Sequence, residues 1–305
     1  LLSLPIMVSS EDMDPKLSVA VASTGDPELL SACLDSIDMA RARVDVLVAV
    51  FVARPVSAVD VSELFHERPW ASLVTVEGHP DIPQLRGAAM RAAGEGWIAI
   101  TEDIFLADQD WLANLWRHAT PDTDVLGGAV GNVRTDVVSH AAYLTDYGSF
   151  PPNRPAEAGV RALTGSNVMY GPEVSGRAGR WASAGAWEHV IHDRMAKEGA
   201  RLRFEPSAQV DHNATYGFFE ILAVRFRQGR EYARDRLEED GGGNRLVRVL
   251  LAPLLPPLLV VRLARVSARP NTMRFLRAGP MVLALYTAWV AGESLGYLAG
   301  LKPKG

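Results

Sequence analysis

The sequence has almost no cysteine, and its net charge is small. Cys33 is the only cysteine among 305 residues, which excludes an internal disulfide framework and a cysteine-rich zinc module and is typical of a reducing compartment. The formal net charge of -5 argues against a nucleic-acid partner. Apolar residues make up 48% of the chain, so one large or two modest domains with a sizeable core are expected.

Three common motifs of ligand binding and catalysis are also missing. No G-x-G-x-x-G follows the first apolar run, and no G-x-x-x-x-G-K-[ST] occurs, so neither dinucleotide binding nor a P-loop is supported. Gly165-Ser166-Asn167 does not have the spacing of a G-x-S-x-G nucleophile elbow. The sequence therefore gives no sign of a Rossmann dehydrogenase, a P-loop nucleotidase or a serine hydrolase.

The charge that is present is unevenly distributed. Residues 1–219 contain 17 Lys+Arg and 29 Asp+Glu, whereas residues 220–305 contain 14 and 7. The small net charge thus combines an acidic part with a basic one. A basic segment of this kind indicates an anionic partner.

Short, valine-rich and mostly apolar runs alternate with helical patterns in the acidic part. We predict strands at Leu17–Ala22, 44–52, Ala71–Val76 and 97–100, because continuous apolar runs are typical of strands buried on both faces. This alternation predicts an α/β fold with a mostly parallel sheet and helices on both faces. Further along the chain we predict a helix at 109–118, a strand at 125–133, an irregular segment at 135–161, a strand at 163–170, a helix at 186–198 and short strands at 201–205 and 209–210.

The basic part combines a long helix with two apolar stretches. We predict a helix at 218–239, rich in arginine, followed by apolar stretches at 249–261 and 278–301. The first stretch would span about 20 Å, short of the roughly 30 Å hydrocarbon core, and the second contains Glu293. We expect these helices to lie in or dip into the membrane interface with arginines toward lipid phosphates. A buried helical hairpin packed on the α/β domain is the alternative.

The predicted domains follow from these patterns. Residues 1–15 lack a basic region before their apolar residues, so a signal peptide is not expected, and we treat this segment as a trimmed or disordered end. Residues 16–217 are predicted to form the α/β domain, and residues 218–305 the membrane-associating helical region.

Three polar clusters follow predicted strands or begin a predicted helix. They are Ser23–Asp26, Thr101–Asp103 and Trp187-Glu188. A doubly wound sheet binds its ligand at the carboxyl ends of its strands, where such clusters meet. The pair Glu102 and Asp103 offers the carboxylate oxygens that Mg²⁺ or Mn²⁺ shares with substrate phosphates; a solvated turn is the alternative.

The order of several segments resembles the family 2 glycosyltransferases of the GT-A fold. The segments are LSVAVASTGDPELLSACLDSI, PQLRGAAMRAAGEGWIAITED, WLANL, GGAVGN, LTGSNVMY, WEHVIHDRMAKEGARLRFEP and VDH. The resemblance implies an inverting, metal-dependent transferase that moves a sugar from a nucleotide-sugar donor, expected to be a UDP-sugar, to a lipid-linked or polysaccharide acceptor. The basic helix and the apolar stretches of the C-terminal region lead us to expect that this enzyme works at the cytoplasmic face of the cell membrane.

The resemblance assigns catalytic and metal-binding roles to particular residues. Asp103 stands at the last position of the family's D-x-D motif and would bind Mn²⁺ or Mg²⁺, with Glu102 supporting it or facing the ribose. Glu188 stands at the family's general base, although the second acid of that motif is His189 here. His212 would be a further metal or diphosphate contact, its alternative being a structural histidine.

The same resemblance assigns the substrate-binding residues. The donor-binding set comprises Ser23, Thr24, Asp26, Arg86, Glu102 and Asp103, and the acceptor-binding set comprises Gly165, Asn167 and Trp187. Glycine allows close approach of backbone to ligand, and Arg86 is alternatively an arginine on a helix surface.

Two departures from the family pattern keep other functions open. Thr101 replaces the first aspartate of D-x-D, and the second strand runs into Arg54 where the family commonly has an aspartate. These departures motivate a catalytically weak binding or scaffold subunit as a second hypothesis. A nucleotidyltransferase is a third, although Ser23–Asp26 is not the glycine-rich, basic loop that such an enzyme usually has. The processive Q-x-x-R-W pattern is absent, which favours transfer of single sugars.

Overall fold

The computed structural model describes residues 17–240, 244–267 and 272–300. The predicted end segment 1–15 lies outside the described residues. Two compact units are present, one formed by residues up to 131 and 152–211 and the other by 132–151 and 212–305. The second unit is thus discontinuous in sequence, while the predicted boundary at residue 217 stays a prediction.

A central sheet forms the first unit. Its strands are β1 Leu17–Ala22, β2 Val48–Pro55, β3 Ala71–Val76, β4 Trp97–Glu102, β5 Phe105–Ala107, β6 Val125–Asn132, β7 Glu157–Ala158, β8 Val168–Tyr170 and β9 Leu202–His212. The order is β3-β2-β1-β4-β8-β6-β9-β5, with β7 paired to β9. Strands β3, β2, β1 and β4 are parallel neighbours, and β8 is antiparallel to both β4 and β6. The predicted α/β fold is confirmed, with parallel pairing from β3 to β4 and antiparallel pairing at β7 and β8.

Helices flank the strands of this unit. They are α1 Pro27–Arg41, α2 Ser62–His66, α3 Ile82–Ala93, α4 Trp111–Arg117, α6 Pro172–Ser183 and α7 Glu188–Lys197. Asp26 begins α1 by accepting hydrogen bonds from the backbone N–H groups of Glu28 and Leu29, and Asp81 begins α3 through a capping box with Gln84. Such side chains satisfy backbone donors that the first turn leaves unpaired. Every residue of β1 is buried, so the core lies around this strand.

The second unit is helical. Its helices are α5 Val137–Tyr147, α8 Phe218–Asp240, α9 Arg245–Leu251, α10 Leu255–Ser267 and α11 Thr272–Ala299, with a 3₁₀ turn at Ala252–Leu254 between α9 and α10. Helices α8 and α11 approach each other closely. A Cβ at Gly292 would collide with the carbonyl oxygen of Phe226, and one at Gly229 would collide with that of Trp289. Glycines at these positions let the two helix backbones meet.

Most predicted elements are present, and the exceptions have local causes. The prediction of an irregular segment at 135–161 is wrong, because Asp136 caps α5 by accepting from the N–H of Ser139 at 2.8 Å. The two short strands predicted near 201–210 form the single strand β9, and the strand predicted at 163–170 is limited to β8. Strand β2 extends to Pro55 and therefore includes Arg54.

Candidate functional site

The carboxyl ends of β1 and β4 lie side by side where the strand order reverses. Ala22 pairs with Glu102 in the parallel register, so the next residues, Ser23 and Asp103, are adjacent. The N–H of Asp103 donates to the carbonyl oxygen of Ala22 at 3.1 Å, and the N–H of Thr24 donates to Asp103 Oδ2 at 2.9 Å. In open α/β sheets ligands bind in the crevice at such a switch point. The predicted donor loop and the predicted metal ligand are therefore neighbours.

The predicted donor loop is braced from the neighbouring strand by Arg54. This buried arginine donates from Nη1 to Ser23 Oγ at 3.2 Å and from Nη2 to the carbonyl oxygens of Gly25 and Val59. Sequence reasoning noted Arg54 only as the absence of an acid. An arginine inside an apolar strand was the available signal, since such a residue must find acceptors once buried. Within the loop, Thr24 and Asp26 are exposed, while Ser23 is buried.

Arg86 joins two of the predicted site carboxylates. Its Nη1 donates to Glu188 Oε2 at 2.8 Å, and its Nη2 forms an ion pair with Glu102 Oε1. Glu102 Oε1 also accepts from Ser166 Oγ at 2.7 Å, a contact that sequence reasoning missed. The side chains of Arg86 and Glu102 are each 8% exposed, whereas that of Glu188 is 27% exposed. The predicted base thus keeps access from outside.

The ion pairs control the protonation of these groups. Burial alone would raise the pKa of Glu188, but the positive charge of Arg86 and its hydrogen bond hold that pKa below its usual value. Burial would lower the pKa of Arg86, but Glu102 and Glu188 raise it instead. Both groups are therefore charged at neutral pH, as opposite charges at hydrogen-bond distance require.

A pair of neutral side chains lies near the arginine fork, by which we mean Arg86 with its two carboxylate partners, Glu102 and Glu188. The hydroxyl of Tyr170 lies 2.9 Å from His192 Nε2, and the N–H of Leu163 donates to His192 Nδ1. Burial lowers the pKa of His192 to about 4, so this imidazole is uncharged at neutral pH and, with Nδ1 accepting, its Nε2 carries the proton. Burial raises the pKa of Tyr170. Glu188 therefore has Arg86 as its principal cationic partner.

Gly165 leaves the space that this fork occupies. A Cβ at this position would lie 2.8 Å from Glu188 Oε2 and would overlap the guanidinium of Arg86. The predicted acceptor-side glycine is therefore brought together with the predicted base. Its small size is required by the ion pair itself.

Replacing Gly165 with alanine is expected to displace the fork. Overpacking of this kind costs about 1–3 kcal/mol, so we expect a lower Tm and at least about a tenfold loss of turnover as the Arg86–Glu188 contact breaks. Gly176→Ala is the matched control, because a Cβ there meets only Arg180 Nη1 at 3.8 Å and the position is helical. Equal effects of the two substitutions on turnover would contradict the assignment.

The other predicted acceptor residues differ in exposure. Asn167 is fully buried; its amide donates to the carbonyl oxygens of Ala129 and Ala208, and its Oδ1 accepts from Trp111 Nε1 at 2.8 Å. This geometry gives Asn167 a structural role that ties three segments together. Trp187 is half-buried and immediately precedes α7, beside the predicted base. The acceptor-binding roles of both residues stay predictions.

Asp103 is nearly enclosed, and its surroundings bear on a divalent cation. Burial, partly offset by hydrogen bonds from Ser23 and Thr24 and reinforced by the charge of Glu102, raises its pKa to about 6. Among the described residues no group of three or more His, Cys, Asp or Glu side chains could hold a metal. A cation that takes one carboxylate from the protein would need its remaining ligands from a diphosphate and water, as Mg²⁺ commonly does. The role of Asp103 as a metal ligand stays a prediction.

The predicted second metal contact lies in the helical unit. His212 Nε2 is 3.2 Å from the hydroxyl of Tyr216, and its ring contacts those of Tyr143 and Tyr147. Burial lowers its pKa to about 4, so the ring is neutral, as a metal ligand requires. Its role as a ligand stays a prediction.

The comparisons with known proteins concern the fold. No family model and no curated protein matches the sequence. Among solved structures the chain is similar to the mannosyltransferase PcManGT from Pyrobaculum calidifontis in complex with GDP-Man and Mn²⁺, with a TM-score of 0.51 and 18% identity over 97% of this chain and 78% of that one. This likeness shows that the chain shares the fold of that protein. Membership of the family 2 glycosyltransferases stays a prediction.

Proposed function

We propose that this chain is an inverting glycosyltransferase that moves a sugar from a nucleotide-sugar donor to a lipid-linked or polysaccharide acceptor. The observation that carries the proposal is that Arg86 ties the base candidate Glu188 to Glu102, the residue that precedes Asp103 at the switch point of the sheet. The fold, which is that of a mannosyltransferase, supports it. We expect a UDP-sugar as donor, and the GDP-Man of the similar structure makes GDP-mannose the second candidate.

In the proposed reaction the acceptor hydroxyl attacks the anomeric carbon of the donor. A new C–O bond forms, the bond from that carbon to the diphosphate oxygen breaks, and Glu188 takes the proton of the hydroxyl. A base must reach that oxygen directly or through one water, and Glu188 is the most exposed of the three charged side chains of the fork. A divalent cation on Asp103 would neutralise the charge that develops on the leaving diphosphate. The buried loop residue Ser23 and its brace Arg54 fix the donor side.

One observation supports the second hypothesis, a binding or scaffold subunit. Thr101 stands at the first D-x-D position, and its hydroxyl is buried without a hydrogen-bond partner in the described part of the chain. Binding and turnover separate the two functions. A binding or scaffold subunit would bind nucleotide sugars without releasing nucleotide, whereas the proposed enzyme would bind them and release nucleotide.

Donor binding is tested by thermal stability. A ligand that binds only the folded state stabilises it by about 2.7 kcal/mol at a concentration of 100 times Kd. We expect a nucleoside diphosphate with Mn²⁺ to raise the Tm by several degrees and the nucleotide alone to raise it less. No shift with any nucleotide sugar or diphosphate would contradict the proposed donor site.

We further propose that the helical unit holds the enzyme at the cytoplasmic face of the membrane. Two helical stretches, Arg245–Ser267 and Thr272–Ala299, are long and apolar enough to cross a bilayer. In the most apolar part of each stretch, 17% of the residues are buried in the first and 39% in the second. Helix α11 packs on α8 through Gly229 and Gly292. An interfacial position for the first stretch fits these differences better than two spanning helices.

The less buried stretch presents a stripe of aliphatic side chains. We define the leucine stripe as the aliphatic residues of α9 to α10 that are at least about half exposed: Leu246, Val247, Leu250, Leu251, Leu254, Leu258 and Val261. Exposed apolar surface of this extent marks an interaction site. Arginines flank the stripe, and residues 244–267 contain no Asp or Glu. Apolar insertion with flanking cations matches an anionic membrane surface.

Serine substitutions in the stripe are expected to release the protein from vesicles. Leu250→Ser/Leu254→Ser/Leu258→Ser should weaken sedimentation with vesicles containing anionic phosphatidylglycerol by at least about tenfold, because each buried CH₂ contributes roughly 0.8 kcal/mol. The matched control is Leu47→Ser/Val56→Ser/Val59→Ser, which alters exposed aliphatic residues of the α/β unit. Unchanged sedimentation of the stripe variant would refute the membrane face. If the wild type self-associated in the absence of vesicles and the stripe variant did not, a second copy of the chain would be favoured as the partner of the leucine stripe.

A further inference from the structure

We infer that Arg86 is the positioning residue of the base: its guanidinium orients Glu188 by an ion-paired fork whose other arm is fixed on Glu102. The inference rests on the proposed function, in which Glu188 takes the proton of the acceptor. It differs from the role that the family resemblance implies for Arg86, a contact with the donor's base or diphosphate.

The geometry of the fork is specific to an arginine. Nη1 and Nη2 point in different directions in one plane, and each reaches a different carboxylate, one at the end of β4 and the other at the start of α7. A lysine ammonium is a single charge on a flexible stem and does not reproduce this planar geometry. Charge-assisted hydrogen bonds of this kind are the strong ones in proteins. One guanidinium thus fixes two elements that are far apart in the sequence.

The arm on Glu102 is anchored independently of the base. Glu102 Oε1 accepts from Ser166 Oγ at 2.7 Å in addition to Arg86, and it is buried. The neighbouring Gly165 has no side chain that would displace the guanidinium. Glu102 and Ser166 therefore hold Arg86 in place, and Arg86 in turn holds Glu188, which is the most exposed of the three charged side chains.

Direct donor contact by Arg86 is less consistent with these distances. Both terminal nitrogens are engaged by protein carboxylates, and the side chain is 8% exposed. The N–H donors of Arg86 that neither carboxylate uses, including the buried Nε, belong to a nearly enclosed side chain. A phosphate that replaced Glu102 or Glu188 would leave a carboxylate without its cation. The positioning role requires no such exchange.

Loss of the fork should change how the base titrates. The groups whose charges act on Glu188 are Arg86 and His189, which favour its ionised form, while burial opposes it. The nearby His192 is neutral above about pH 4 and does not replace the arginine. Without Arg86, Glu188 would be protonated at higher pH and freer to turn.

The test is a mutant cycle of full-length protein with Mn²⁺ and its best nucleotide sugar. Arg86→Gln should lower kcat by about tenfold to a hundredfold, as expected for a misplaced catalytic group, with little change in the donor KM. The acidic limb of the kcat profile should move to higher pH. In a Glu188→Gln background, Arg86→Gln should cause no further loss, because the group it positions is gone. Arg86→Lys should keep part of the charge effect but not the full rate.

A control variant and a fallback variant make the outcome decisive. Arg177→Gln removes an exposed Arg–Glu pair on the same unit and should leave turnover unchanged. If Arg86→Gln does not fold, Arg86→Lys takes its place. Its donor KM, the acidic limb of its kcat–pH profile and its effect in the Glu188→Gln background are then measured. If Arg86→Gln instead raised the donor KM, and if its effect added to that of Glu188→Gln, the inference would be overturned, although Glu188 would remain the base. Full activity of Glu188→Gln would overturn both the base and the inference.

Discussion

Replacing Glu188 with glutamine is expected to lower sugar transfer by about 10²- to 10⁴-fold, the usual contribution of a general base. Glutamine has nearly the same shape and keeps an oxygen that can accept from Arg86, but it cannot take up a proton at neutral pH. The loss should therefore appear in kcat, with the donor KM nearly unchanged. Initial rates of nucleotide release in the presence of acceptor measure both quantities.

The matched control for this prediction lies at the other end of the same helix. Glu198 follows the last residue of α7, is exposed and pairs with Arg177 on the surface. Surface pairs of this kind contribute little, so Glu198→Gln should have wild-type kinetics. Wild-type kcat in Glu188→Gln would show that another group accepts the proton.

Replacing Asp103 with asparagine is expected to remove the dependence of the rate on Mn²⁺ together with most of the rate. Asparagine keeps an oxygen but not the charge that a divalent cation needs from the one protein carboxylate at this position. A metal that neutralises a leaving diphosphate contributes several kcal/mol, so we expect turnover to fall by about 10²-fold or more. Rates measured over a series of Mn²⁺ concentrations test this directly.

An exposed aspartate gives the comparison for this second substitution. Asp38 lies on α1 and pairs with Arg41 across one helical turn, so Asp38→Asn should keep the Mn²⁺ dependence of the wild type. If Asp103→Asn retained that dependence with an unchanged midpoint, Asp103 would not be the metal ligand.

The first half of the fold could be predicted from sequence because its signals are local. Strands β1 and β3 are uncharged, mostly apolar runs whose predicted ends agree with the structure, and Asp26 beside a proline marks the start of α1. Helix α5 was missed because three prolines after it suggested an irregular region, although Asp136 supplies an ordinary helix cap.

The contacts within the candidate site depend on packing and could not be predicted in the same way. Arg86 was identified as a site residue, but its partners lie 16 and 102 positions further along the chain. Nothing in a single sequence indicates which carboxylates a helix arginine will meet. The brace formed by Arg54 and the anchor Ser166 are of the same kind, because they follow from which loops converge at the edge of the sheet.

The measurement that tests the central claim most directly is nucleotide release from a panel of UDP- and GDP-sugars. Full-length protein bound to anionic vesicles with Mn²⁺ is compared with Glu188→Gln and Asp103→Asn. We predict release from at least one donor by the wild type, with both variants slower by about 10²-fold or more. Binding of donors without any release, or equal release by all three proteins, would contradict a glycosyltransferase that works through Glu188 and Asp103.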